Sequence, residues 1–308
     1  MRRAWLGSAL ALAFVGLALA DDIGLIQPGR VGASFLLRGI GARPAGLGGA
    51  YTAVGDEPSA VAWNPGELGR APGTGLAMMY ESLGEGMWMS SLSASSAWPG
   101  GFVTGVGLTM VEYGSISSRD ETGVVTGTES PVDVAATASG AMPLSIWAGH
   151  EVWVGIQAEG IGLAMGGLGV AGATGVLASL APGVHAGAAL MHVGPALSGS
   201  RLPSQARLGL GYSVSPQLLI AGDAAYGLGD RQTLGAAGGE IRPVPWASVR
   251  VGGSWASEAG SSHGRLSVAG GGGFLVGRLR FDYAYRPFAN LPASHVFSLT
   301  LGGGAPRP

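Results

Sequence analysis

Leu279 to Arg286 reads LRFDYAYR, and its alternation decides the fold. Leu279, Phe281, Tyr283 and Tyr285 fall on one side of a period of two, and Arg280, Asp282 and Ala284 on the other. In an extended chain successive side chains point to opposite faces, so such a segment is a strand with one apolar face and one mixed face. The pattern recurs upstream. Val152, Val154, Ile156 and Ala158 oppose Trp153, Gly155, Gln157 and Glu159, and Ala247, Val249, Val251 and Trp255 oppose Ser248, Arg250, Gly252 and Ser254. One such segment is weak; repetition from Gly75 to Leu301 is the signature of a transmembrane barrel.

Composition points the same way. Of 308 residues 47% are hydrophobic, 12% are charged, and 58 are glycine. Soluble domains carry about twice that share of charge, so much of this surface does not meet bulk water. Yet after residue 20 no apolar run reaches the ~18 residues of a membrane helix. A closed sheet is the other structure that satisfies its backbone in lipid. Glycine is abundant without the Gly-X-Y period of collagen.

Turns give a second signal. Trp98-Pro99-Gly100-Gly101, Ala181-Pro182-Gly183, Ser215-Pro216-Gln217 and Pro243-Val244-Pro245 are tight connections with turn-forming residues. Met142-Pro143-Leu144 and Val276-Gly277-Arg278 read similarly. Longer polar connections, 114–131, 194–203, 256–263 and 286–292, lie between them. Short and long alternate as in outer-membrane barrels. Strands are expected to begin near Thr74, Met87, Phe102, Val132, Glu151, Gly169, Val184, Ala206, Leu218, Leu234, Ala247, Arg265, Leu279 and His295. The expected class is therefore all-β: an antiparallel transmembrane barrel of about 14 strands. Even parity puts both barrel ends on the periplasmic side, where a plug is expected to enter. The inward faces are small, with isolated charges at Glu159, Asp223, Arg250, Arg280 and Asp282.

The chain divides into residues 1–20, 21–73, 74–301 and 302–308. Arg2 and Arg3, an apolar run from Trp5 to Leu19 and the Ala18-Leu19-Ala20 site make the first piece a cleavable signal peptide. Residues 74–301 are the barrel, and 302–308 a short tail. Residues 21–73 include FLLRGIGARPAGLGGAYTAVGDEPSAVAWNPGEL, Phe35 to Leu68, too rich in glycine to build a core of its own. It is expected to plug the barrel, with one short helical patch at Ser59 to Trp63 that Asn64-Pro65-Gly66 ends. With few buried apolar contacts expected, the plug can either move or stand as a fixed structural filler, and the sequence leaves both open.

The plug sequence resembles the N-terminal signature of the PorV/PorQ family, outer-membrane proteins related in fold to FadL transporters. Phe35, Gly39, Gly41, Ala42, Arg43, Gly46, Gly48, Gly49, Ala50, Asp56, Trp63, Asn64, Pro65 and Leu68 carry the likeness, as do Leu279 to Leu291 with His295, and Val111 to Gly114 with Arg119 to Gly123. Glu67 departs from the family, which has Ala-Gly where this chain has Gly66-Glu67. So do the missing lysines and a tail that does not end on an aromatic residue. The resemblance implies Gly41, Arg43, Gly48, Gly49, Asp56, Trp63, Asn64, Pro65 and Glu67 as ligand and plug residues, with Asn64-Pro65 foremost. It implies passage or binding of a hydrophobic compound; the alternative is a non-transporting partner of a secretion or surface-assembly system, meeting secreted or envelope proteins. The expected location is the bacterial outer membrane, with its lipid as the surrounding partner.

Other chemistry is weakly supported. The chain has no cysteine, so no disulfide or thiolate chemistry, and mild acidity argues against nucleic acid. Gly167-Leu168-Gly169-Val170-Ala171-Gly172 fits a dinucleotide fingerprint but lacks the following helix. Gly260 to Gly264 fits a nucleophile elbow, with Asp282 and His295 in hydrolase order, but precedes a strand. His150, His185, His192, His263 and His295 show no metal spacing, and His185 and His192, seven apart in one strand, are expected on opposite faces. No enzyme activity, metal or cofactor is expected. Trp88, Trp98, Trp147, Trp153, Trp246, Trp255, Tyr283 and Tyr285 are expected in interfacial girdles.

Overall fold

In the computed structural model the described residues are 31–302, less 72, 148–149, 165, 259–263 and 288–291. The expected signal peptide, Ser262 of the elbow-like motif and residues 303–308 lie outside them. Fourteen antiparallel strands close into one barrel: β1 (Gly75–Gly84), β2 (Met87–Ala97), β3 (Val103–Glu112), β6 (Val132–Trp147), β7 (His150–Gly162), β8 (Leu168–Ala181), β9 (Val184–Val193), β10 (Gln205–Ser215), β11 (Leu218–Gly227), β12 (Gln232–Val244), β13 (Ala247–Glu258), β14 (Gly264–Val276), β15 (Leu279–Arg286) and β16 (Ser294–Leu301). β16 pairs with β1, Leu301 opposite Leu76, so no edge is left open. The short strands β4 (Ile116–Arg119) and β5 (Val125–Glu129) form a separate hairpin in the long connection after β3. Its turn is set by Asp120, whose Oδ1 accepts bonds from the Thr122 and Val124 N–H groups.

Period two holds along the wall. Ile156, Leu208, Leu210, Phe274 and Phe281 face outward and are about half exposed or more, a surface suited to lipid. Trp98, Trp246, Trp255 and Tyr283 are exposed as girdle residues are. Trp153 departs from the expectation: it is 7% exposed and faces the lumen. Met142-Pro143-Leu144 is also corrected, because it lies within β6, where Pro143 pairs with Trp153. β3 reaches only to Ala141, so the missing Pro143 N–H leaves no rung of the ladder unmade. The fingerprint-like Gly169 to Gly172 is strand β8.

His185 and His192 do not face opposite sides. His192 has φ 56° and the β8–β9 register jumps from Gly172/Val193 to Thr174/Leu190. This bulge leaves Met191 and His192 both buried, and His192 Nδ1 lies 2.8 Å from the inward Glu159 Oε2.

Val31 to Ala71 runs inside the barrel and supplies most of its core. Leu47, Ala50, Tyr51, Ala60 and Leu68 are fully buried, and Trp63 meets Tyr51 edge-on at 5.9 Å. The expectation of few buried apolar contacts is thus overturned. Instead of one helical patch there are four short turns: the 3₁₀ turns Ser34–Arg38, Pro58–Ala62 and Pro65–Arg70, and α1 (Ala42–Gly46). Asn64 ends one turn and begins the next, its Oδ1 accepting the Gly66 N–H at 2.9 Å. The path also differs from a plug entering at the short-turn end. Gly32 donates to the Arg201 carbonyl in the long β9–β10 connection, so the segment descends from the long-connection end towards Gly75.

The inward glycines explain the composition. At Gly155 a Cβ would lie 2.3 Å from the Pro65 carbonyl carbon, and at Gly187 2.0 Å from the Thr52 oxygen. Real Cβ atoms are never that close to backbone, so the plug's main chain lies directly on wall positions that have no side chain.

Candidate functional site

The plug is fixed to one wall by ions. Arg43, on α1, donates from Nε to Glu240 Oε2 (2.8 Å) and from Nη1 to Asp56 Oδ1 (2.6 Å). Glu240 also accepts from Arg250 (2.5 Å) and Arg242 (2.5 Å), and Arg250 continues to Asp282 at 2.6 Å. Arg280 joins Asp282 (2.9 Å) to Glu57 and Asp56. Arg250, Arg280 and Asp282, three of the lumenal charges that the sequence presented as isolated, therefore belong to one network spanning plug, β12, β13 and β15. Burial alone pushes the Asp56 carboxyl up; the Arg43, Arg280 and Arg70 charges outweigh it and hold it below the usual carboxylate range.

A second anchor gathers on Asp223. Its Oδ2 accepts from the Tyr51 and Thr52 N–H groups and the Thr52 hydroxyl, at 3.1, 2.9 and 2.6 Å, and from Arg207 at 3.4 Å. The Arg207 guanidinium also lies 4.8 Å over the Trp63 ring.

Above these anchors, towards the long-connection end, the plug leaves a chamber of about 460 Å³. Phe35, Leu37 and Trp63 from the plug, with Met79, Leu83 and Leu234 from the wall, give it an apolar lining. Its charged lining groups are Arg38, Arg207, Asp223 and Arg286. The size and the mix, mostly apolar with a few placed polar groups, are those of a small-molecule site.

The candidate residues from the sequence divide between three places. Gly41, Gly48, Gly49 and Trp63 line the chamber. Arg43 and Asp56 belong to the ionic network below it. Asn64, Pro65 and Glu67 seat the plug at the short-turn end: Asn64 Nδ2 donates to the Thr52 and Val176 carbonyls (2.9 and 3.0 Å), and Pro65 lies on Gly155. Asn64 does not line the chamber. Glu67 is paired with neither Arg250 nor Arg280. Its Oε1 accepts the Gly55 N–H at 2.7 Å and its buried Oε2 has no hydrogen-bond partner. Burial pushes this carboxyl well above the usual range.

Sequence reasoning passed over Arg38, Glu81, Arg207 and Arg286. Glu81 carried a signal, since it shares the inward parity of Ala77 and Met79 in β1, where a charge needs a partner. Among the described residues no cluster of metal-ligating side chains occurs.

At the level of sequence, no protein-family model and no curated protein matches the chain. Solved structures do. The Pseudomonas putida toluene transporter TodX superposes with a TM-score of 0.62 at 15% identity, over 86% of this chain and 98% of that one. The Ralstonia pickettii toluene transporter TbuX gives 0.61 at 17%, over 87% and 99%. A Pseudomonas aeruginosa FadL homologue gives 0.56 at 12%, over 83% and 96%. The chain has the closed 14-strand fold of these FadL-like outer-membrane barrels.

Proposed function

We propose that the protein is a bacterial outer-membrane barrel that takes a hydrophobic compound into the chamber above its plug and passes it inward. The observation that carries this reading is the chamber itself: a mostly apolar space of about 460 Å³ to whose lining the plug contributes Phe35, Leu37 and Trp63. Two of the structural neighbours, TodX and TbuX, are toluene transporters, and their likeness supports a hydrophobic cargo. Uptake of a labelled monoaromatic compound by cells with an intact lipopolysaccharide layer tests it. Expression should raise the initial rate, and Ala225→Trp, which fills the chamber, should return it to that of cells lacking the protein. Equal rates with and without the protein would sink the reading. The narrower PorV/PorQ assignment and a role beside a secretion machine rest on the sequence resemblance; pull-down from solubilised outer membranes that recovers no secreted or envelope protein removes the latter.

A further inference from the structure

A second void, of about 30 Å³, lies beside the chamber, between the plug and the wall of β2, β3, β6 and β7. Where the chamber is mostly apolar, this wall is polar: Ser93, Thr109, Thr137, Gln157 and Glu159 line it, with His192 from β9. Ser93, Gly107, Thr137 and Glu159 stand in one row across the sheet. A Cβ at Gly107 would lie 2.6 Å from Thr137 Oγ1 and 3.7 Å from Ser93 Oγ, so the absent side chain leaves room between two hydroxyls. The plug covers the row with Phe35, Leu36, Ile40 and Val61, whose side chains offer it no polar atom.

These wall groups are buried and short of partners. Ser93 is 3% exposed and Thr109 6%, and neither their hydroxyls nor that of Thr137 bonds to a described residue. Glu159, also buried, gives Oε2 to His192 Nδ1 and leaves Oε1 facing no protein donor. Polar groups this deep are met by something that hydrogen-bonds. Their chemistry selects its class. A carboxylate only accepts, so the occupant must donate to Glu159; serine and threonine hydroxyls give and take, so it can accept from them as well. An ether, a ketone or a carboxylate anion cannot donate, and a hydrocarbon does neither. An alcohol or phenol hydroxyl does both, and it fits the space, since one water takes up about 10–15 Å³.

The void and the chamber meet at Phe35 and Gly39, which line both. We propose, building on the transport reading above, that the void is the hydroxyl subsite for a neutral alcohol or phenol whose apolar body lies in the chamber, the Phe35 ring turning aside to join the two spaces. Ser93 and Thr137 supply the preference for the hydroxyl, and Glu159 takes its proton in a hydrogen bond.

The test uses the folded protein in lipid nanodiscs and two probes with one apolar body, 3-phenylpropanol and propylbenzene, titrated by calorimetry against empty nanodiscs. Removing both hydroxyls in the double variant Ser93→Ala, Thr137→Val should weaken the alcohol about tenfold and leave the hydrocarbon unchanged. Ser91→Ala, at a buried serine of β2 that lines neither cavity, should change neither. The double variant deletes hydroxyls that bond to no described residue, so the barrel should close as in the wild type, which a heat-dependent gel-mobility shift reads. Equal effects on the two probes, or an alcohol affinity that survives the double substitution, overturns the subsite but not the transport reading, and the void then holds water only. Tighter binding of 3-phenylpropylamine than of the alcohol would put a cation where the proposal has a neutral hydroxyl and overturns it too. If neither probe binds the wild type, the transport reading falls with the subsite.

Discussion

Gly155→Ala is the sharpest probe of how the plug is seated. The added methyl would lie 2.3 Å from the carbonyl carbon and oxygen of Pro65 and 2.6 Å from the Gly66 nitrogen. Ordinary contact requires the Pro65–Arg70 turn to retreat by roughly 1 Å, and backbone offers no flexible end to bend away. Retreat also lifts Gly69 from the Trp153 ring and Leu68 from the wall at Gly105, against which both are packed. Overpacking of a fitted interior costs ~1–3 kcal/mol, and a clash with backbone belongs at the upper end. Gly160 is the control. It lies on the same strand, faces outward, and a methyl there meets nothing within 4 Å. Gly160→Ala should fall within about 0.5 kcal/mol of wild type, or gain slightly because alanine loses less entropy in a strand. Urea unfolding in lipid vesicles, followed by tryptophan fluorescence, measures both. A Gly155→Ala protein as stable as Gly160→Ala would refute the close seating of plug on wall.

Arg43→Met should cost about 3 kcal/mol in the same assay, since it strips a buried cation from Glu240 and Asp56; Arg250 and Arg242 still reach Glu240, which keeps the loss at the low end for a broken buried pair. Asn64→Ala should cost about 1–2 kcal/mol, through the lost cap on Gly66 and the unmet Thr52 and Val176 carbonyls, without changing probe affinity in the chamber. Glu67→Gln tests pH. Because the folded-state pKa of Glu67 is raised, the folded protein holds more protons than the unfolded chain above the ordinary value of 4.5, and stability falls as pH rises from there towards the folded pKa. The glutamine variant should match wild type near pH 4 and exceed it at pH 8; a wild-type advantage at pH 8 would contradict the burial of an unpaired carboxylate.

The wall was legible because its signal is local and repeated. Each strand shows its period of two within about ten residues, and each expected strand start lies within two residues of the observed one. Where a local rule was broken the reading slipped. The bulge at His192 reverses parity without any proline or glycine at that residue, and Pro143 reads as a turn until one knows that β3 stops opposite Ala141. The site was only half legible. Gly48, Gly49 and Trp63 belong to the plug signature and do line the chamber, but the ionic network joins residues as distant as Arg43 and Glu240, 197 positions apart. Nothing in a single sequence marks which inward charge will face which. Asn64-Pro65, prominent as a motif, turns the chain and binds two carbonyls at the short-turn end, away from the chamber lining.

The most direct measurement of the central claim is a structure of the protein soaked with a brominated monoaromatic compound, such as 4-bromotoluene, with the bromine located by anomalous scattering. The bromine should lie in the chamber among Phe35, Trp63 and Leu234, above the plug. A bromine found only on the outer wall, with the chamber empty of it, would contradict the assignment of this space as the ligand site.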